Sequence, residues 1–227
     1  MKRAILVGLF VLGLIVAGAA HAETIVSNLS NGPNGTHYLS NGGNLGLGQK
    51  FETGGAATWL GSVNLWLTYE GGGSLSAAIY HDLESSPPTT DDGYIPDISN
   101  KVVDLDVPTI TSTGIWRFTP SDPTLLTANT EYWVVISIPD GQGLSYGWRF
   151  DDSDTPFYGT GVSHMENAQN WDGSGWGYLI PDYGNDESWS PYMMSVLTPV
   201  PGPASAALLL VGAFGLFIRR RKKAETK

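Results

Sequence analysis

The chain has 227 residues, a formal net charge of −10 and no cysteine. The lack of cysteine excludes a disulfide scaffold, a thiolate metal centre, a cysteine nucleophile and a lipoprotein acyl-cysteine. Charged residues make up only 15%, beside 29 Gly and 14 Pro, a balance that favours turns and strands over long helices.

The N-terminus carries an export pattern. Lys2 and Arg3 form a short basic region, and Ile5 to Val16 is an apolar run of 12 residues. Ala20 and Ala22 then stand at the −3 and −1 positions before Glu23. Basic, apolar, then A-x-A is the arrangement of a cleaved secretory signal. An uncleaved anchor is the alternative, but a membrane-spanning helix needs ~20 apolar residues. The expected partners here are signal peptidase and the export machinery.

Between Glu23 and Pro203 four basic residues (Lys50, Lys101, Arg117, Arg149) face 21 acids, a net of −17. Such a body repels phosphate backbones, so no nucleic-acid partner is expected. Its pattern is that of strands. Thr24–Leu29 opens the body, and Thr58–Tyr69 alternates, with Val63, Leu65, Leu67 and Tyr69 on one face. Gly71-Gly72-Gly73 ends that strand and reads as a hairpin connection to Ser74–His81. Lys101–Val107 and Gly114–Thr119 follow. Glu131–Ile138 is apolar on both faces, as a central strand is. Leu144–Phe150 and Pro191–Thr198 complete a set of about eight. Two long stretches, Asp82–Asn100 and Asp151–Trp189, read as loops. The expectation is an all-β fold: a single antiparallel β-sandwich or jelly-roll-like domain over residues 23–198, between a signal peptide (1–22) and a C-terminal transmembrane sorting helix (199–227).

Chemistry-bearing patterns are sparse. His21, His37, His81 and His164 show no metal-ligand spacing and read as lone surface residues. No catalytic residue, metal ligand or cofactor is nominated, and an enzyme is not expected; the alternative is a hydrolase using loop carboxylates. Asp91-Asp92-Gly93 and Asp151-Asp152-Ser153-Asp154 have the oxygen-rich chemistry that calcium prefers, beside the reading of a solvated acidic loop. Trp171 and Trp176 lie in a Gly-rich stretch where exposed rings would stack on sugars, or would pin the loop by burial. Trp59, Trp66, Trp116, Trp133 and Trp148 are expected to pack on the sheet or in the core. Asn28-Leu29-Ser30 and Asn34-Gly35-Thr36 match the glycosylation sequon.

The C-terminus is a second membrane signal with the charge order reversed. Ala204 to Ile218 holds 15 residues with nothing more polar than Ser205, and Arg219, Arg220, Arg221, Lys222 and Lys223 follow. That run reaches ~22 Å at 1.5 Å per residue, and counting from Pro199 reaches the ~30 Å of a hydrocarbon core. Basic residues stay cytoplasmic, which places the body on the other side. One reading is a plain anchor helix; the other is a processing signal.

Val200-Pro201-Gly202-Pro203, the apolar span and the basic cluster together resemble a PEP-CTERM sorting signal, with Gly202 where that family most often has Glu. The resemblance implies a Gram-negative exported protein, held transiently in the inner membrane, processed by an exosortase and linked to exopolysaccharide and biofilm. In the body, Phe51-Glu52-Thr53-Gly54, Ala77-Ala78-Ile79-Tyr80 with Pro87-Pro88, and Leu126-Thr127-Ala128-Asn129-Thr130-Glu131-Tyr132-Trp133-Val134-Val135 are similar to choice-of-anchor domains, most of all the R type. That resemblance implies a secreted or cell-surface β-sandwich with no established enzymatic activity, and it nominates no catalytic residues.

Overall fold

The computed structural model describes residues 21–40, 45–83, 95–139, 145–151, 159–170, 177–178 and 191–200, the backbone alone for 162–170 and 177–178. Glu23–Thr198 forms one compact unit. The described residues form fourteen strands and no helix. In chain order the strands are β1 (Thr24–Ser27), β2 (Gly35–Leu39), β3 (Gly46–Glu52), β4 (Thr58–Leu60), β5 (Ser62–Tyr69), β6 (Ser76–Asp82), β7 (Pro96–Asp106), β8 (Gly114–Pro120), β9 (Thr124–Leu126), β10 (Glu131–Ser137), β11 (Tyr146–Phe150), β12 (Val162–Asn170), β13 (Gly177–Tyr178) and β14 (Met194–Leu197).

Every named pairing is antiparallel. The main sheet runs β1-β14-β5-β8-β7-β6-β10-β3-β12-β13, with β2 joined through β11 to β5. β5 is shared along one edge: Ser62–Leu65 pair with β14, and Leu67–Tyr69 pair with β11. β8 turns the corner, because it pairs with β5 over five positions and with β7 only at Pro120 and Thr119. The sheet then almost closes. Thr160 N–H donates to the Thr24 carbonyl at 3.1 Å and Gly161 N–H to the Ile25 carbonyl at 2.8 Å, just before β12 begins. Full closure removes exposed edges that would otherwise template aggregation.

The interior follows from alternation. Val63, Leu65 and Leu67 of β5 join Ile79 of β6, Val134 and Ile136 of β10 and Val196 of β14 in one buried cluster. The other face of β10 is buried as well: Trp133 and Val135 form a smaller cluster with Tyr80 and Ile95. The apolar run Glu131–Ile138 is therefore a central strand, flanked by β3 and β6.

Several expectations need correction. Thr58–Tyr69 is two strands, not one: β4 pairs only with β9, in a separate two-stranded ribbon. Gly71–Gly73 is not a hairpin turn, because β5 and β6 do not pair. The glycine run lets the chain cross from one part of the sheet to another, fastened by Tyr146 Oη–H donating to the Gly73 carbonyl at 2.9 Å. The supposed loops contain strands: Pro96–Asn100 begins β7, and Val162–Asn170 is β12. β3, with Gly46, Gly48, Gln49 and Lys50, also lacks the usual strand composition, yet it is buried almost throughout. Backbone pairing with β10 and β12 makes it a strand, which is why composition hid it.

The closing seam depends on small residues. A side chain at Gly161 would overlap the carbonyl oxygen of Glu52, and one at Gly159 that of Ile25. Gly159 also has φ 147°, a conformation costly for other residues. Gly161→Ala is expected to lower stability by about 1–3 kcal/mol, read as an earlier urea midpoint at unchanged slope. An unchanged midpoint would mean that the seam is not closed in solution.

Candidate functional site

The two body motifs singled out in the sequence meet at one end of the sheet. Glu52 of β3 lies opposite Glu131 of β10, and Phe51 opposite Tyr132. Thr53 follows β3 and is almost fully buried. Its hydroxyl donates to the Thr127 carbonyl and accepts from Thr130 N–H at 3.1 Å, while Thr53 N–H donates to the Thr130 carbonyl at 3.1 Å. Tyr132 Oη accepts from Thr127 N–H at 2.9 Å. Asn129 completes the turn at φ 48°, a left-handed conformation that Asn tolerates, with its N–H on the Gly54 carbonyl at 3.0 Å. Thr53 thus acts as a clasp that holds the 127–130 turn against the end of β3.

Beside this clasp lies an open cleft of about 410 Å³, lined by Glu52, His81, Asp82, Asn129, Thr130 and Glu131. Two of its lining residues, Asp82 and Glu131, belong to a partly buried charge group. Lys50 points to the outer side of β3, with its side chain 3% exposed. Its Nζ lies 2.9 Å from Glu131 Oε2 and 3.7 Å from Asp82 Oδ2. Trp133 Nε1–H donates to Asp82 Oδ1 at 2.6 Å. Three neighbouring strands supply these groups, because Lys50 and Tyr80 both lie opposite Trp133 and so share its face.

Asp82 has its carboxyl pushed up to about 6. Burial is the largest cause, and Glu131 adds to it through its charge and a hydrogen bond; the Trp133 indole and the Lys50 ammonium pull the other way without prevailing. Near pH 6 Asp82 therefore exchanges a proton beside the Lys50–Glu131 ion pair. The ammonium occupies the place between two carboxylates where a cation would otherwise be required. Chemically, the group can hold or release one proton at the edge of an open polar cleft.

The other candidates fall elsewhere. Trp171 and Trp176 lie outside the described residues, as do Ala20, Pro201, Gly202, Pro203 and the basic cluster Arg219–Lys223. Ala22 and Val200 flank the compact unit. Asp91, Asp92, Gly93, Asp152, Ser153 and Asp154 are also outside. Asp151 is buried at the end of β11, with Asn34 Nδ2–H donating to its Oδ1 at 3.4 Å. Among the described residues no three acids or histidines gather as a metal site, and no helix is long and apolar enough to cross a membrane.

Two sequence assignments change. Trp59 is not packed but 51% exposed, because it points outward from the β4–β9 ribbon. His37 is not a surface histidine: its Nδ1 lies 2.8 Å from Tyr192 Oη, its ring packs on Phe150, and burial holds it below the usual imidazole value. The Asn28 sequon has a structural use. Asn28 is fully buried, donates to the Tyr192 carbonyl at 3.2 Å and accepts from Met194 N–H at 2.8 Å. Sequence reasoning missed Lys50, Asp82 and Glu131 as a group. The only signal was that Lys50 is one of four basic residues in so acidic a body.

Comparison with protein-family models, with curated proteins and with solved structures returns no match.

The charge group sets a pH dependence. A carboxyl raised to about 6 when folded contributes stability that is full below its ordinary value near 4 and is lost as pH rises through 6. The depressed His37 acts oppositely, losing stability as pH falls below its ordinary value. In Asp82→Asn the decline in melting temperature from pH 4.5 to 7.5 should shrink relative to wild type, and in His37→Gln it should steepen. Identical profiles in wild type and Asp82→Asn would contradict the assignment. Lys50→Met leaves two carboxylates without their cation, and a loss of about 3–5 kcal/mol is expected at pH 7.5, smaller at pH 4.5, by urea titration.

Proposed function

We propose that the chain is an exported, non-enzymatic surface or extracellular-matrix protein. A cleaved signal delivers it, and a PEP-CTERM-like C-terminal segment holds it in the inner membrane until an exosortase processes it for an exopolysaccharide or biofilm setting. The nearly closed sheet is read as a jelly-roll-like sandwich of the choice-of-anchor kind, with β14, β5 and β8 facing β10, β3 and β6 across the core.

The observation that carries this reading is the meeting of the body's two ends. β1 pairs with β14, with Thr24 opposite Leu197. Glu23 N–H donates to Thr198 Oγ1 at 2.7 Å, and Thr198 N–H donates to the Glu23 carbonyl at 2.9 Å. A signal cut after Ala22 leaves its new amino group beside the residue where the Pro-rich stretch begins. Removal of one end and tethering of the other then take place at a single pole, which leaves the opposite pole free. The acidic body, at −17 between Glu23 and Pro203, supports an exterior setting, since it is repelled by anionic lipid and stays soluble.

Intact-mass measurement on protein from its native host tests the proposal. The expected species begins at Glu23 and ends near Gly202, without Arg219–Lys223. A mature species that keeps both Met1 and Lys227 would refute signal cleavage and C-terminal processing together. A species that begins at Glu23 and keeps Lys227 would replace processing with a permanent anchor.

A further inference from the structure

The β4–β9 ribbon turns one face inward and the other to solvent. Leu60 and Leu126 are buried. Trp59 and Leu125 lie directly opposite each other in the register, so their side chains share the outward face. Each is 51% exposed. An indole beside a leucine on this short ribbon forms an apolar platform that leaves about half of each side chain to solvent.

A polar cleft of about 500 Å³ adjoins this platform at Leu125. Lys101, Asp104, Ser121, Asp122 and Thr124 contribute to its lining. Lys101 Nζ donates to both oxygens of Asp104 at 2.8 Å, so these two present donors and acceptors with no net charge. Ser121 is anchored through its N–H to the Asp104 carbonyl at 2.9 Å, and Thr124 through its hydroxyl to the Asp122 carbonyl at 2.9 Å. The backbone of the cleft is therefore tied on both sides, and the exposed Asp122 carboxylate is available to a ligand.

We propose that Trp59 and Leu125, with the cleft lined by Lys101, Asp104 and Asp122, bind a neutral polysaccharide. A sugar ring has an apolar C–H face and a rim of hydroxyls. The face suits the indole, and the rim suits a Lys–Asp pair and a carboxylate within reach. Charge selects among polymers: a body at −17 repels polyuronates and nucleic acids. The apolar patch of two side chains is too small for a stable protein interface, which needs ~800 Å² from each partner. The site belongs to the folded body and does not depend on how the chain is tethered or processed.

The test uses the full chain in detergent, with binding to hydroxyethyl cellulose, dextran, galactomannan and alginate followed by affinity electrophoresis and calorimetry. Saturable binding to at least one of the three neutral polymers is expected. Trp59→Ala should weaken it at least tenfold at an unchanged melting temperature, and Trp59→Phe should restore most of it. Asp122→Ala should weaken it with no change in fold. The proposal is overturned if no neutral polymer binds, if alginate alone binds, or if Trp59→Ala binds as wild type does. It is also overturned if the only effect of Trp59→Ala is loss of a dimer or of a protein partner.

Discussion

The pairing of the first strand with the last is the constraint on which the rest of the body depends. It gives β1 one partner in β14. The other edge of β1 receives Thr160 and Gly161, and the sheet comes close to closing on itself. Closure brings Gln49 of β3 within reach of the segment before β14, where its Oε1 accepts from Tyr192 N–H at 2.7 Å. The same segment runs beside the end of β11, where Tyr192 stacks on Trp148 with ring centres 4.8 Å apart and nearly parallel. The β1–β14 pairing is also what lets Glu23 and Thr198 exchange two hydrogen bonds.

Three buried polar side chains sit where strands from different parts of the chain come together, and each makes at least two hydrogen bonds. Asn28 bonds both to Tyr192 and to Met194. Gln49 bonds to Tyr192 and to the Lys50 carbonyl. Thr53 bonds to both ends of one turn. Each imitates a strand partner where a regular ladder is interrupted. A buried polar group left without a partner costs more than a made bond contributes, so these residues specify which segments meet rather than adding much net stability. The Lys50–Asp82–Glu131 group extends the same logic to charge, and its burial raises the Asp82 carboxyl despite a neighbouring ammonium.

The surface divides along the same lines. The cleft over Asp82 and Glu131 lies on the outer side of β3, β6 and β10, and the platform of Trp59 and Leu125 lies on a ribbon that joins no other strand. The first is charged and responds to protons; the second is apolar beside a neutral ion pair. Among the described residues, Trp59 and Leu125 are exposed large apolar side chains that lie directly opposite each other.

Local sequence determined the class of the protein: all-β, antiparallel, with a central strand at Glu131–Ile138, and it placed an apolar run at each end, with basic residues before the first and after the second. These were legible because alternation, apolar runs and flanking charge act over a few residues, and the side chains of β5 and β10 carry the pattern themselves. Tertiary structure alone decided that β3 and β12 are strands, since backbone partners rather than β-branched side chains hold them in place. It decided that Gly71–Gly73 crosses between parts of the sheet, and that Trp59 faces water while Trp133 does not. It also decided that Lys50, Asp82 and Glu131 form one group. These positions are dozens of residues apart, and no local pattern records which strands will lie side by side. That choice comes from the closing of the whole sheet, in which each strand takes the edge left open by the others.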